Sequence, residues 1–334
     1  MKVSIAEIAK RANVSKATVS RVLNDKPDVS EKTRKKIFKI IDELNYIPNE
    51  TARNLSLGIV KTVALIVPSE NPVYIDIVRK INNKLFEKDM DLLFYITDHN
   101  PELEKKQLRK LKGKNLAGLI YIKSPESDNS VLEFLDKLKF PKIVITEEDI
   151  DTKYDQVYFD ERLISYQCAD ILLNEGHKNI AYLSTPLNLN YEKKRYDGII
   201  KALENNKEDL DTHNFYFPKS VIIKEGYEMT KKILDTDITA ICSLSNILTF
   251  GCIKAFKEMN VKINDNISLI SFGELGIVND IGYNITTVWI SNEELSKVVV
   301  DLICRRIENP NCEKRKIELK PNINLRGSEK IKMR

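Results

Sequence analysis

From residue 62 onward, short apolar runs alternate with stretches long enough for helices, and this alternation confines the chain to a narrow set of folds. The runs VALIV (63–67), LLFYI (92–96), AGLIYI (117–122) and KIVIT (142–146) come first, separated by 73–88, 101–112 and 130–138. A second series follows: QVYF (156–159), NIAYLS (179–184), SVII (220–223), TAICSL (239–244) and ISLISF (267–272). Its helices are expected at about 161–174, 191–204, 226–234 and 246–259. Strand, helix, strand at that spacing predicts parallel sheets with helices on both faces. Two series predict two such halves. Ligands of open α/β sheets sit beyond the carboxyl ends of the strands, here in the cleft between the halves.

The first 57 residues read differently. Ser15 to Asn24, SKATVSRVLN, forms a short helix capped by Ser15. Val19, Val22 and Leu23 recur at i, i+3, i+4 and face a core. Lys16, Thr18, Ser20 and Arg21 then point outward, all donors or cations of the kind that read DNA. Ala17 and Thr18 are small and permit close approach. Upstream, Ser4-Ile5-Ala6-Glu7 has capping-box spacing and opens a helix through Arg11, with Ile5, Ile8 and Ala9 inward. Ala12-Asn13-Val14 makes a turn of the length a helix-turn-helix requires. Ser30 caps a third helix, Glu31 to Leu44, whose buried stripe is Ile37, Ile40, Ile41 and Leu44. Periodicity alone equally describes an ordinary three-helix bundle.

Charge distribution separates the two parts. Residues 1–60 carry 12 Lys+Arg against 7 Asp+Glu, a net +5, whereas 61–334 carry 41 against 42, a net −1. The basic excess coincides with the helix-turn-helix, as an electrostatic footprint for phosphate does. The chain of 334 residues, 42% hydrophobic and 31% charged, suits a soluble globular protein of two or three domains. It has no apolar run of about 18 residues and no leader pattern. A cytoplasmic protein with no membrane association is expected. Five cysteines, 168, 242, 252, 304 and 312, show no C-x-x-C pair and suit free thiols in a reducing compartment.

IAEIAKRANVSKATVSRVLN, VSEKTRKKI and LNYIPNETARNLSLG, in that order and spacing, resemble the DNA-binding headpiece of LacI-family transcription regulators, almost unbroken from Ile5 to Gly58. The resemblance continues more loosely to the C-terminus. It implies an N-terminal all-α helix-turn-helix headpiece plus an α/β periplasmic-binding-protein-like core of two doubly wound parallel-sheet subdomains. The headpiece falls at 1–47, a hinge helix and linker at 48–60, and an effector-binding and dimerisation core at 61–334. Three crossings near Asp160, Ser291 and Pro321 divide the core into a first half, about 61–160 and 291–320, and a second, about 161–290 and 321–330.

The resemblance also implies a homodimer on palindromic double-stranded operator DNA, with the Ser15–Asn24 helices in successive major-groove half-sites. Lys16, Thr18, Ser20 and Arg21 then contact bases or nearby phosphates, with Ser15 and Ala17 at the helix start. Ser4, Asn24, Ser30 and Thr33 hold the backbone. In the hinge, Asn49, Ala52, Arg53 and Leu55 occupy the family's positions, and Leu55 wedges into the minor groove, unstacking a base step and bending the DNA. Read without the family, Leu55 is a linker leucine against the body.

The effector cleft is implied position by position. RYDGI (195–199) matches the segment whose arginine grips the effector, and the planar fork of Arg195 suits a carboxylate, phosphate or vicinal hydroxyls. Asp160 matches an acidic residue at the first crossing. Ser69 and Tyr74 lie in the loop after the first strand. Trp289, the only tryptophan, follows the second T-T-V and serves either a ligand stack or hinge packing. Three departures weaken hydroxyl recognition: Ser245-Asn246 where Asn-Asp is usual, Phe272-Gly273-Glu274 where F-D-D or F-D-N is usual, and Val288-Trp289-Ile290-Ser291 where V-x-Q-P is usual. Asn246 and Glu274 remain candidate contacts. The lost carboxylates tilt the pocket toward an anionic ligand beside Arg195, Lys193 or Lys194, or toward none.

Nothing points to an enzyme or a cofactor. His99, His177 and His213 lack metal-ligand spacing, and no G-x-G-x-x-G, P-loop or G-x-S-x-G occurs. His177 stands before a strand, where a structural role is expected. The alternative to a small-molecule effector is control by a protein partner. The headpiece and hinge segments also resemble catabolite control regulators, which dock phosphorylated HPr on a helix of the first half. Asp301 and Arg305 stand at the docking positions, with one charge inverted. A small-molecule binding protein without DNA function would leave residues 1–57 unexplained.

Overall fold

The structure, a computed structural model, describes residues 4–46, 60–127, 129–187, 191–208 and 215–330. Backbone contacts divide the chain into two units, 1–61 and 62–334. Residues 47–59 lie outside the described residues, and with them Asn49, Ala52, Arg53 and Leu55 and nearly all of the expected hinge.

In the first unit, α1 (Ile5–Ala12), α2 (Lys16–Leu23) and α3 (Glu31–Glu43) each begin at a serine. The side chains of Ser4, Ser15 and Ser30 accept from the amides of Glu7, Thr18 and Thr33, satisfying donors that a helix start leaves open. Asn13 closes α1 at φ 55°, and Val14 N–H donates to the Ala9 carbonyl at 3.0 Å. This left-handed residue turns the chain from α1 into α2. Ile8, Ala9, Ala12, Val19, Val22, Ile37, Ile40 and Ile41 form the core.

The second unit holds two six-stranded sheets. The first contains β1 (Thr62–Val67), β2 (Asp91–Ile96), β3 (Gly118–Ile122), β4 (Lys142–Thr146), β5 (Asp155–Tyr158) and β11 (Lys316–Glu318). The second contains β6 (Ile180–Leu183), β7 (Phe215–Tyr216), β8 (Ala240–Ser243), β9 (Ser268–Phe272), β10 (Thr286–Trp289) and β12 (Asn322–Asn324). Their orders, β2-β1-β3-β4-β5-β11 and β7-β6-β8-β9-β10-β12, are equivalent. All pairings are parallel except β10–β12. The chain passes between the sheets at 159–160, 290–291 and 319–321.

Helices cover both faces of each sheet because alternate strand residues point to opposite sides. On the first sheet, α5 (Pro101–Leu111) and α6 (Leu132–Leu135) bury Leu108, Leu111 and Leu135 against Ala64, Ile66 and Leu119. On the other face lie α4 (Pro72–Phe86) and α11 (Asn292–Glu308). Gly118 leaves room there for the Ile303 side chain, which lies 2.7 Å from where a Cβ would stand. On the second sheet, Ile180 and Tyr182 meet α7 (Glu161–Asn174) and α8 (Glu192–Asn205), whereas Ala181 and Leu183 meet α9 (Ile223–Leu234) and α10 (Asn246–Glu258).

Two expectations are corrected. SVII (220–223) is not a strand: Phe215–Tyr216 takes the place beside β6, and Ile223 opens α9. Gly226, Thr230 and Ile233 are the buried positions of α9, a helical spacing that overrides the short apolar run. The helix expected at 130–138 is broken, with a 3-10 turn at Asn129–Val131 and only Leu132–Leu135 α-helical. The five cysteines are free thiols, and Cys168, Cys242 and Cys252 are buried.

Candidate functional site

The exposed face of α2 follows from its capping and its core. Ser15 accepts from Thr18 N–H at 3.0 Å, and its Oγ lies 2.9 Å from Thr18 Oγ1. With Val19 and Val22 buried, Ser15, Lys16, Ala17 and Arg21 face solvent, and Thr18, Ser20 and Asn24 are half-buried. Asn24 Nδ2 donates to Ser20 Oγ at 3.4 Å. Arg21 pairs with Asp28 at 3.2 Å, both side chains more than half exposed. Such an exposed pair contributes little and yields readily to a phosphate. Ser4 and Ser30 are exposed caps, and Thr33 is half-buried beside Ser30, Oγ1 to Oγ 2.9 Å.

The second site is built at the carboxyl ends of the strands. Arg195, one turn into α8, is buried, and its Nε donates to Glu161 Oε2 at 2.7 Å while Nη1 donates to the Leu244 carbonyl at 2.8 Å. Its guanidinium lies over the rings of Tyr191 and Phe272, with the centroids at 4.2 and 4.3 Å. Gly198 makes this possible. A Cβ there would meet the Arg162 carbonyl oxygen and Ser165 Oγ at 2.3 Å, so only glycine lets α8 lie this close to α7. Nearby, Glu192 is buried and bonded to the Ser184 hydroxyl and to Thr185. Burial holds its carboxyl above the usual range against those hydrogen bonds.

Tyr74, near the start of α4, stands among charges from both halves. Burial pushes its hydroxyl pKa well up, and Glu147, Tyr191, Glu126 and Glu161 push the same way. Glu147 follows β4 directly, and burial with the neighbouring charge of Glu161 lifts its carboxyl to about 8, against Arg195, Lys194 and Lys123. Glu126 Oε2 takes His99 Nδ1 at 2.8 Å and the Ser124 hydroxyl at 2.7 Å, and these bonds hold its carboxyl low despite burial. Lys194 on α8 reaches Glu148 after β4 at 2.8 Å, tying the second half to the first.

The other expected cleft residues are more self-contained. Ser69 Oγ accepts from Asn71 N–H at 3.3 Å. Asp160 caps α7 through Arg162 N–H at 2.9 Å. Asn246 is buried at the start of α10, packed against Gly273, whose φ of +99° and 3.2 Å Cβ distance to Asn246 call for glycine. Glu274 accepts from Leu275 N–H at 3.1 Å and from Arg326 and Thr287 at 3.3 Å, so its oxygens serve the second half itself. Trp289 is half-buried at the end of β10. Sequence reading missed Glu126, Glu147, Glu161 and Tyr191. Position signals two of them, since Glu147 sits at a strand's carboxyl end and Tyr191 four residues before Arg195.

Both parts of the chain match family models: residues 4–49 the "Bacterial regulatory proteins, lacI family" and residues 60–319 the "Periplasmic binding proteins and sugar binding domain of LacI family". The HTH-type transcriptional regulator RegA of Clostridium saccharobutylicum is 30% identical over 320 residues, 93% of this chain and 96% of RegA. The HTH-type transcriptional repressor PurR of Pasteurella multocida is 28% identical over 338 residues, 99% of each chain. A crystal structure of a LacI-family transcriptional regulator from Silicibacter pomeroyi superposes with a TM-score of 0.82 at 25% identity, covering 98% of this chain and 99% of that one. With a serine-capped helix-turn-helix in one unit and two equivalent parallel sheets in the other, this chain is a DNA-binding transcriptional regulator and belongs to the LacI family.

Proposed function

We propose that the regulator acts as a homodimer on a palindromic operator and that a small molecule in the cleft between the two sheets sets its operator affinity. The observation that carries the DNA reading is α2 itself, whose Val19 and Val22 are buried while Lys16, Ala17 and Arg21 are open to solvent. In a major groove, Arg21 and Lys16 reach base edges or phosphates, and Thr18 and Ser20 add donors. Ser4, Asn24, Ser30 and Thr33 serve the phosphates, and Asn49, Ala52, Arg53 and Leu55 the minor groove. Arg21→Ala, footprinted on operator DNA, is expected to lose selectivity for the site while the core stays folded. An unchanged footprint would remove α2 from its assigned role.

Dimerisation is supported by an apolar surface on the first half. Phe86 is 79% exposed at the end of α4, and Phe94 is 45% exposed on β2, an edge strand. A bare apolar sheet edge is a liability that pairing with a second copy removes. Effector control is supported by the contact of Lys194 in the second half with Glu148 in the first at 2.8 Å, and Ser69, Tyr74, Asp160, Arg195, Asn246, Glu274 and Trp289 are the residues we assign to the cleft. A ligand that prefers one arrangement of the halves shifts that population, and operator affinity with it. The small-molecule reading is preferred to control by phosphorylated HPr because Arg305 is engaged within the fold. Its Nη2 donates to the Glu313 carbonyl at 3.0 Å, and its Nη1 lies 4.0 Å from Asp155.

A further inference from the structure

Arg21 does not stand alone on the exposed face of α2. Its Nη1 lies 3.2 Å from Oδ2 of Asp28, in the turn that leads into α3. Among the described residues the two side chains have no other ion pair or hydrogen bond. The turn that carries Asp28 is fixed from both sides. Arg34 of α3, its side chain 15% exposed, pairs with Asp25, and its Nη2 donates to the Lys26 carbonyl at 2.8 Å. Asp25 takes φ 52°, and the Lys26 N–H donates back to the Arg21 carbonyl at 2.9 Å. Pro27 follows with the φ its ring imposes, and Val29 packs against the headpiece core. Anchored backbone, not a free loop, presents Asp28 to Arg21.

The pair contributes little to stability, but it distinguishes two uses of the arginine. A guanidinium has five N–H donors, and contact through Nη1 leaves the Nε–Nη2 edge for the paired acceptors of a guanine. Base reading therefore keeps the pair closed. A phosphate that draws Arg21 away leaves an unpaired carboxylate on a surface that meets a polyanion. We propose that Asp28 is a specificity-determining residue, which orients the Arg21 guanidinium toward a guanine edge and sets phosphate contact at a disadvantage. The inference rests on Arg21 reading a base in the major groove. Both side chains are more than half exposed, so the effect is small, about twofold to fivefold per headpiece.

The test is selection from a random-sequence duplex library with the full-length protein, followed by affinities for the selected duplex and for random duplex of equal length. Arg21→Ala identifies the base position that Arg21 reads. Asp28→Ala is expected to relax the guanine preference at that same position. It should lower the ratio of selected to random affinity about twofold to fivefold for each engaged headpiece, with the unfolding midpoint of the wild type. Asp28→Glu, which keeps the charge, should recover part of the ratio. In the Arg21→Ala background, Asp28→Ala should leave the ratio where Arg21→Ala sets it. Equal tightening on both duplexes, with the ratio unchanged, means that Asp28 only repels phosphate in general and overturns the proposal. So does a fall in the ratio that persists without Arg21. Loss of selectivity in Arg21→Ala but not in Asp28→Ala removes the role of Asp28 and leaves the reading of α2 standing. An Arg21→Ala protein that selects the wild-type sequence removes the reading of Arg21, and the role of Asp28 with it.

Discussion

Arg195 and Glu161 are buried together, with side chains 10% and 3% exposed, and each answers the other's charge. Removing one partner leaves the other charged and dry, which in such pairs costs about 3–5 kcal/mol. Arg195→Ala is therefore expected to lower the denaturant midpoint markedly, and Arg195→Met with Glu161→Gln to recover much of the loss. Equal midpoints for the single and double variants would show that the two charges are not coupled. Glu147 makes the opposite prediction. Its carboxyl is lifted from 4.5 to about 8, so the folded state holds a proton that the unfolded chain has released. The contribution is fully present below about pH 4.5 and is lost as pH rises through 8. Glu147→Gln should match the wild type in stability near the lower value and exceed it increasingly toward the upper one, as read by urea unfolding across that range.

The glycine contacts between helices decide how those residues meet. Gly198 lays α8 on α7, and Gly251, whose Cβ would stand 2.4 Å from Tyr227 N and 2.5 Å from the Ile223 carbonyl oxygen, lays α10 on α9. Both obstructions are mainly backbone. Gly251→Ala should cost about 1–3 kcal/mol as overpacking. Gly198→Ala should cost a similar amount and also weaken effector binding, since it moves Arg195 away from Glu161. Calorimetry with ligand titration checks both, and a Gly198→Ala protein of wild-type stability would contradict the close approach. This layer also marks what is legible from sequence. Caps such as Ser4, Ser15 and Ser30 are legible because the acceptor and its amide lie three residues apart. Strands such as KIVIT are legible because both faces are buried. SVII is not, since four apolar residues fit a strand or a helix start equally well, and only the neighbours of β6 decide. Arg195 is legible as a cleft residue, but its partner lies 34 residues earlier. The pairing that turns an anion-binding fork into a satisfied cation is tertiary.

At the scale of the whole chain, the +5 of residues 1–60 against the −1 of the remainder assigns all net attraction for DNA to the headpiece. Operator affinity must then fall linearly with the logarithm of salt, with a slope of about 0.9 for each phosphate neutralised. The slope counts protomers. Lys16→Ala removes one cation per chain, so it should reduce the slope by about 1.8 if two headpieces are engaged and by about 0.9 if one is. Arg21→Ala should instead cost about 1–3 kcal/mol per half-site and flatten the preference for operator over random DNA. The proposed effector would act on a unit with almost no net charge. By changing the fraction of protein competent to bind, it should displace the salt line without tilting it, because the phosphate contacts of the bound state are unchanged. Measuring operator affinity against salt, with and without a ligand of the cleft, separates the two mechanisms. Parallel lines correspond to a shift in population. A change of slope would mean that the ligand alters the number of phosphate contacts, and control would then lie in the headpiece surface itself.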